Sequence, residues 1–261
     1  MPHPEKSRRS PDAKRRLTPK EIDDRRRAAE LVVQGYPPAM AMSVAQGRMT
    51  KNEATERLAR RAEVEQLMKA HDMTRALATQ VALGHAKLDE FLAKRRFDQH
   101  RGANRVRSVL DEAASDGRVW TWALFGGRKV EGKLTAITPY NVTLVPTEGA
   151  PEELHKLAFK FGHAPDDFKR LRKIQLWNKA LREAPKAPAE RPQERYTCSD
   201  KRFFKYVDSG AVVRATLLEG EVIEGSVAWF SRYEFALSIK GHATIVVFRH
   251  ALNDLIEVAD K

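Results

Sequence analysis

A β-type sequence pattern occurs twice in this chain, at a constant offset of 93 residues. Each copy carries a glycine, an acid and a second glycine, which are Gly127, Glu131 and Gly132 in the first copy and Gly220, Glu224 and Gly225 in the second. Apolar positions recur in the same register at Leu124, Val130, Leu134, Ile137, Tyr140 and Leu144, and again at Leu217, Ile223, Val227, Phe230, Tyr233 and Leu237. Because unrelated β segments would not share this register without a gap, the sequence predicts two copies of one small β module.

The charge balance favours a polyanionic partner. Among 261 residues, Lys and Arg number 47 and Asp and Glu number 35, which gives a net charge of +12 and a pI near 9.8. RNA or DNA is the first expectation, and an anionic membrane surface is the lesser one. The length allows two or three compact units.

Cysteine content and hydropathy bear on the compartment. Cys198 is the only cysteine, which excludes a disulfide framework and a cysteine-based zinc cluster. No run of about 18 apolar residues predicts a membrane span. Residues 1–17 are basic but lack the apolar run of a secretory signal, so they are predicted to form a disordered arm. We expect a soluble, cytoplasmic protein.

Residues 18–100 are predicted to form a helical accessory domain. Thr18 with Glu21 and Thr50 with Glu53 have the spacing of capping boxes, which start helices. A looser repeat places a short helix, a glycine turn and a basic second helix around Gly47 and again around Gly84. This layout suits either a DNA-binding helix-turn-helix or a helical bundle with a solvated basic face.

Each β module is predicted to begin with a helix. In the first module, residues 101–180, the helix ends near Gly117, a strand covers residues 119–124, residues 154–161 form a further strand, and residues 168–174 form a basic last element. Residues 181–196 are a proline-rich linker. In the second module, residues 197–261, Ser199 caps the helix and five short strands follow. Such a small bent sheet leaves strand edges open, which favours association. The fold class is therefore α+β.

The second module resembles the Sm-like fold, and within it the Hfq family of bacterial RNA chaperones. The resemblance lies in Leu217 and Gly220, the glycine at 225, the aromatic Tyr233 and the run Phe248-Arg249-His250-Ala251-Leu252. The first module resembles the fold only through its first half, because no similar run follows near residues 159–174. The N-terminal all-helical domain lies outside the resemblance, which implies that two small, bent five-stranded β-barrels follow it, each preceded by a helix and the first of them degenerate.

The resemblance also implies a function. Hfq proteins are hexameric rings that bind single-stranded RNA and pair small RNAs with messages, which predicts an RNA-binding post-transcriptional regulator or RNA chaperone. Carried over by position, Arg249 and His250 would contact uridines and Tyr233 would stack on a base. The full set of predicted RNA-binding residues is Arg249, His250, Tyr233, Phe248, Gly220 and Tyr140. The family's glutamine before the helix is absent, with Ser199 near that place, and its arginine-rich rim is reduced to Lys205 and Arg214.

The residue types suit RNA binding, with alternatives. Single-stranded RNA needs cations for phosphates and flat aromatic faces for bases. Alternatively, Tyr140 and Tyr233 fill the sheet core and His250 is a structural histidine. The repeated Glu131 and Glu224 are interpreted as outward-facing strand residues, and without a nucleophile, metal-ligand cluster or phosphate loop no enzyme, metal site or cofactor is predicted.

The duplication predicts a homo-oligomer. Three chains with two modules each would close a pseudo-sixfold ring, and the second module alone would form a hexamer, whereas a chain with its two modules paired would stay monomeric. Two other functions remain open. One is a DNA-binding regulator that uses the helical domain and oligomerises through the modules, and the other is a purely structural oligomerisation protein.

Overall fold

The computed structural model describes residues 17–167, 176–239 and 243–258. The chain is a mixed α+β protein that divides into two compact units, one up to Phe91 and one from Leu92. The predicted N-terminal arm up to residue 16 and the predicted basic element at 168–174 lie outside the described residues. Across the described ranges, no helix is both long and apolar enough to cross a membrane.

The first unit is helical, as predicted. Its helices are α1 Pro19–Val33, α2 Pro38–Ala45, α3 Lys51–His71, α4 Arg75–Ala82 and the first turn of α5 Leu88–Asn104. Both capping boxes are present: the N–H of Thr18 donates to Glu21 and the N–H of Thr50 donates to Glu53, each over 2.8 Å. These local bonds satisfy N–H groups that the first helical turn leaves unpaired.

The looser repeat has the same backbone in both copies. Gly47 follows α2 and Gly84 follows α4, each with φ of +72°, a conformation that glycine adopts without steric cost. Behind the turns, Val64, Met73 and Ala78 form a small core. In each copy a short helix, a glycine turn and a second helix therefore follow one another along the chain.

The second unit contains the sheet. Its helices are the rest of α5, α6 Val109–Asp116, α7 Lys179–Glu183 and α8 Asp200–Ser209. Its strands are β1 Trp120–Leu124, β2 Lys129–Ile137, β3 Asn141–Pro146, β4 Glu152–His155, β5 Phe159–His163, β6 Leu176–Trp177, β7 Val212–Leu217, β8 Glu221–Phe230, β9 Glu234–Ile239, β10 Ala243–Phe248 and β11 Leu252–Glu257.

The strands form one antiparallel sheet rather than two separate barrels. The order is β11-β7-β8-β9-β10-β5-β1-β2-β3-β4, and β6 pairs with β8. The first module supplies α6 and β1–β5, and the second supplies α8 and β7–β11. They meet where β5 pairs with β10, at Phe161 opposite Val247 and His163 opposite Ile245. Sequence patterns within each module do not specify this long-range pairing, because it joins edges of two different modules.

The two modules match over their whole length. A β-bulge interrupts β2 between Leu134 and Ala136 and interrupts β8 at the equivalent Val227 and Trp229. A 3-10 turn at Lys156–Ala158 is equivalent to the turn at Arg249–Ala251. The prediction of one strand over residues 154–161 is therefore wrong, since this turn separates β4 from β5. The second half of the first module is complete, and Lys156-Leu157-Ala158 is its counterpart of Arg249-His250-Ala251.

The cores of the two modules cross the junction. Phe161 of β5 is buried in the core of the second module, whereas Ala236, Val246 and Phe248 of the second module are buried in the core of the first. Burial of this apolar surface is the main source of stability for the pair. Each module therefore completes the core of the other.

Charged and polar groups add further contacts at the junction. Lys160, at the β-bulge of β5, donates to Glu219 and Glu221 of the second module, and all three side chains are largely buried. Glu219 also accepts from the N–H groups of Gly126 and Gly127. A buried ion cluster of this kind is sensitive to the loss of one partner. It contributes to the specificity of the module contact.

Residues 178–186, which include the start of the predicted linker at 181–196, lie against the second module. The N–H of Asn178 donates to the carbonyl of Gly220, and the N–H of Lys186 donates to that of Leu218, over 2.8 and 3.0 Å. Gly220 has φ of +95°, and a Cβ there would lie 2.8 Å from Asn178 O. Only glycine fits this turn beneath α7.

Candidate nucleic-acid interface

Helix α5 packs against α8 of the second module through its C-terminal half. Arg96 forms a two-bond contact with Asp208 over 3.0 and 3.1 Å. The ring of Phe97 meets Phe204 edge-on at 5.4 Å between centroids, and His100 lies 4.8 Å from Phe230. These contacts determine where the last turn of α5 is placed.

The end of α5 and two loops of the second module enclose a cleft of about 250 Å³. Four arginines line this cleft, together with Asp200, Phe230 and Ser231: they are Arg101, Arg105, Arg232 and Arg249. We name this site the arginine cleft. With four guanidinium groups and one carboxylate, the cleft is strongly cationic. It suits the binding of a phosphate group, because one guanidinium donates two parallel hydrogen bonds to two phosphate oxygens.

The arginines of the cleft are held to different degrees. Asp200 contacts Arg249 at 3.0 Å and Arg101 at 3.9 Å. The Arg249 guanidinium lies 4.4 Å from the Phe203 ring, and its buried Nε has no hydrogen-bond partner among the described residues. Within the same described ranges, no carboxylate pairs with Arg105 or Arg232. The cleft thus combines one positioned arginine with two that are available to an anion.

Tyr233 stands exposed beside the cleft. Its side chain is 61% exposed, and the Arg232 guanidinium lies 5.2 Å from its ring. The carbonyl of Tyr233 accepts from the N–H of Arg249 over 2.8 Å, which ties two loops together. In the first module, Tyr140 is 73% exposed and its carbonyl accepts from Lys156 over the same distance. Both tyrosines therefore lie on the surface, and the alternative that they fill the sheet core is wrong.

The remaining predicted residues lie inside the protein. Phe248 is buried, with its ring 6.1 Å from that of Phe159. His250 is partly buried and its Nε2 lies 2.8 Å from the carbonyl of Phe159, so this nitrogen carries the proton. Burial lowers the pKa of His250 to about 4, against hydrogen bonding that would raise it. The imidazole is neutral at pH 7, and its bond to Phe159 links the two modules. The last predicted residue, Gly220, lies beneath α7.

The first module has the exposed tyrosine without the cleft. Its counterparts of Arg232 and Asp200 are Pro139 and Arg107. Arg107 is engaged by Glu112 at 2.8 Å and by the Trp229 ring at 4.0 Å. Within the described ranges, each module therefore exposes one tyrosine ring, and the arginine cleft has no counterpart in the first module.

Sequence patterns did not identify three of the four cleft arginines. Arg101 lies in α5 and Arg105 in the turn that follows it, both outside the repeat, and the packing of α5 on α8 brings them to the site. Arg232 directly precedes Tyr233, a predicted RNA-binding residue, and this position in the sequence was the signal that could have identified it. Side chains that meet through tertiary packing share no spacing in the sequence.

Other candidate sites are unremarkable in geometry. Glu131 is exposed on β2, and Glu224 accepts from Arg214 Nε at 2.7 Å, consistent with outward-facing strand positions. Among the described side chains, no group of three or more His, Cys, Asp or Glu is placed to hold a metal ion. Residues 17–91 carry twelve Lys and Arg against eleven Asp and Glu, so the described part of the helical unit is nearly neutral.

Known proteins offer no direct assignment for this site. The geometry of the arginine cleft and of the two exposed tyrosines is therefore the basis for its interpretation. Comparison with family models, with curated proteins and with solved structures finds no match to the chain.

Proposed function

We propose that the protein binds single-stranded RNA and acts as an Hfq-like post-transcriptional regulator or RNA chaperone, built on two modules of Sm-like fold. The observation that carries this proposal is the exposed ring of Tyr233 beside the arginine cleft. A flat aromatic face binds an unstacked base, and neighbouring guanidinium groups bind the phosphates on either side of it.

The arrangement favours a single strand over a duplex. Bases in a duplex are stacked on each other and do not present a free face to Tyr233, whereas bases of a single strand do. The cleft of about 250 Å³ accommodates one phosphate group with part of its sugar rather than a double helix. Tyr140 offers a second stacking position on the first module.

The resemblance to the Hfq family assigns uridine contacts to both Arg249 and His250. The contacts of each residue support Arg249 alone in this role, since it lines the cleft while His250 donates to Phe159. Arg232, Arg105 and Arg101 supply the remaining cations. In this proposal Phe248 and Gly220 shape the loops and do not touch RNA.

Assembly into a homo-oligomer, as a trimer of tandem modules or as a hexamer, is a separate proposal that applies to chains whose outer strand edges are free to pair. The junction of β5 with β10 supports it, because the same pairing repeated between chains would join β11 of one copy to β4 of another. The two outer strands of the sheet, β11 and β4, are the elements that such a ring would use.

The alternative of DNA binding through the helical unit receives less support. Affinity for duplex DNA depends on neutralising phosphates with an excess of Lys and Arg. Residues 17–91 offer twelve such cations against eleven acids. A structural protein without nucleic-acid binding would leave the arginine cleft without a role.

Fluorescence anisotropy with labelled U-rich RNA, A-rich RNA and duplex DNA at fixed salt tests the proposal. We expect RNA to bind more tightly than duplex DNA. Tyr233→Ala should weaken RNA binding by roughly 5- to 150-fold, the equivalent of about 1–3 kcal/mol for one stacked base. Tyr233→Phe keeps the ring and should bind nearly as wild type.

The charged residues are tested in the same assay. Arg232→Ala should lower RNA affinity and flatten its salt dependence, because a lost phosphate contact removes one released counterion. Arg118→Ala removes the same charge at an exposed position outside the cleft and is the matched control. Equal affinity for RNA and duplex DNA, unchanged by either substitution at 232 or 233, would overturn the proposal.

A further inference from the structure

The equivalent strands β5 and β11 have different neighbours on their outer edges. Gly162 of β5 and Leu255 of β11 are equivalent, and each pairs on its inner side with the first strand of its own module. On its outer side, Gly162 lies opposite Val246 of β10. No strand of the described chain lies opposite Leu255, so β11 is one end of the sheet.

Two side chains from outside β11 occupy the outer edge of Leu255. Its N–H donates to Tyr196 Oη over 3.2 Å and also to Oδ1 of the neighbouring Asp254 over 2.8 Å, and its carbonyl accepts from Tyr196 Oη over 3.3 Å and from Arg202 Nη2 over 2.6 Å. Arg202 also donates to the hydroxyl groups of Tyr196 and Tyr206. The backbone groups that a neighbouring strand would need are therefore already bonded.

These side chains are particular to the second module. The equivalent residues of the first module are Ala103 and Val109, neither of which has a side chain that hydrogen-bonds. At that position the partner is a strand, β10, and the N–H of Val109 donates to Glu234 instead. Covering an outer strand is a known way for a protein to prevent unwanted strand addition.

We propose that Tyr196 and Arg202 form a removable plug on β11, which keeps the chain monomeric, and that the partner of the unplugged edge is β4 of a second copy. This inference rests on the proposed assembly. The modules are offset by 93 residues, so β11 is the counterpart of β5 and β4 is the counterpart of β10. Applying the β5–β10 register to these counterparts predicts the pairs between copies: Glu152 opposite Ile256, Glu153 opposite Leu255 and Leu154 opposite Asp254.

The same register predicts which groups of β4 take part. Leu255 directs its N–H and carbonyl outward, so Gly162 and Val246 form the hydrogen-bonded pair of the existing junction. Glu153 is the counterpart of Val246, and its N–H points to the open side of β4. Glu153→Pro therefore removes a backbone donor for the second copy and keeps the backbone bonds to β3, although it also removes the side-chain bond from Asn141 Nδ2 to Glu153 Oε1.

The mass of the chain in solution tests the plug. Light scattering should give one chain, 29.6 kDa, for the wild type at every concentration. Tyr196→Phe with Arg202→Met removes the bonds of the plug while keeping the apolar bulk, and leaves the local bond from the Leu255 N–H to Asp254. Its mass should rise with concentration to about three chains. Adding Glu153→Pro should return the mass to one chain. Lys205→Met, on the same helix but bonded to Glu257, is the control and should stay monomeric.

Amide hydrogen exchange keeps the test decisive if the double variant does not fold. The comparison is made in an Asp254→Ala background, which removes the other acceptor of the Leu255 N–H. In that background the Leu255 amide should exchange slowly with Tyr196 present and faster in Tyr196→Phe. A wild-type trimer or hexamer, a folded double variant that stays monomeric, or equal exchange in both proteins would overturn the proposal. RNA affinity is measured separately, so a failure of the plug is distinguished from a failure of the RNA proposal.

Discussion

The carboxyl group of Glu234 in β9 accepts a hydrogen bond from the backbone N–H of Val109, so a residue of the second module caps the helix that opens the first. Burial raises the pKa of Glu234 to about 8, the carboxylates of Glu112 and Asp111 act in the same direction, and the Val109 N–H and Arg107 oppose them. The junction therefore contains a carboxyl group that is protonated at neutral pH.

This carboxyl group should make stability depend on pH. Since its pKa is near 8 in the folded chain and near 4.5 when unfolded, the stabilisation is full below about pH 4.5 and is lost as pH rises toward 8, by roughly 3–5 kcal/mol. Urea unfolding at several pH values measures this. Glu234→Gln should remove that slope, whereas Glu131→Gln on exposed β2 should keep it. An unchanged slope in Glu234→Gln would contradict the assignment.

Lys160 should be essential for the junction. Lys160→Met leaves Glu219 and Glu221 buried without their cation and should cost about 3–5 kcal/mol of unfolding free energy. Although burial favours a higher pKa for Glu219, hydrogen bonds from Lys160 and Gly126 hold its pKa below the usual value.

Two comparisons separate charge from packing at Lys160. Lys133→Met on exposed β2 is the control and should change stability by about 0.5 kcal/mol or less. Adding Glu219→Gln and Glu221→Gln to Lys160→Met should restore much of the loss, since no buried charge then remains. Stability of Lys160→Met close to wild type would mean that water reaches the cluster.

The effects on stability of substitutions at Trp122 and Gly162 should be coupled, because the Trp122 ring fills the space beside Gly162. A Cβ at Gly162 would lie 2.5 Å from the Trp122 ring, so Gly162→Ala should cost about 1–3 kcal/mol. In the second module the equivalent pair is Ala215 with Leu255, in which the small and large residues are exchanged.

A double-mutant cycle on unfolding free energy measures this coupling. Trp122→Ala alone should cost about 3–5 kcal/mol. Trp122→Ala combined with Gly162→Leu copies the second-module pair and should be more stable than the sum of the single variants by about 1 kcal/mol or more. Gly102→Ala, where a Cβ meets open space, is the control for adding a methyl group. Additive losses would rule out compensation.

His250 should act as a structural link. Because its pKa falls to about 4 in the folded chain from an ordinary 6.5, its contribution is full above pH 6.5 and is lost as pH falls toward 4. His250→Ala should lower the melting temperature through loss of the bond to Phe159, at a cost of about 1–3 kcal/mol. His85→Ala, at an exposed turn, is the control. Reduced RNA affinity in folded His250→Ala with unchanged melting temperature would instead place the imidazole in the RNA site.

The sequence by itself determined the features that depend on neighbours along the chain. The capping boxes at Thr18 and Thr50, the helix stop at Gly117 and the equivalent positions of Tyr140 and Tyr233 in the repeat follow from residue type and spacing, whereas the structure decides that both tyrosines are exposed. The 3-10 turn at Lys156–Ala158 was missed because its equivalence to Arg249–Ala251 lies in backbone geometry and offset, with only the alanine in common.

Only the tertiary structure decided which edges and faces meet. The pairing of β5 with β10, the cluster around Lys160 and the arginine cleft each join residues far apart in the chain. These three features depend on burial and on charge placement, which arise only when distant segments pack together. A local sequence pattern therefore does not show which residues will meet. His250 illustrates the difference, since its motif suggested RNA contact whereas packing turned its Nε2 toward Phe159.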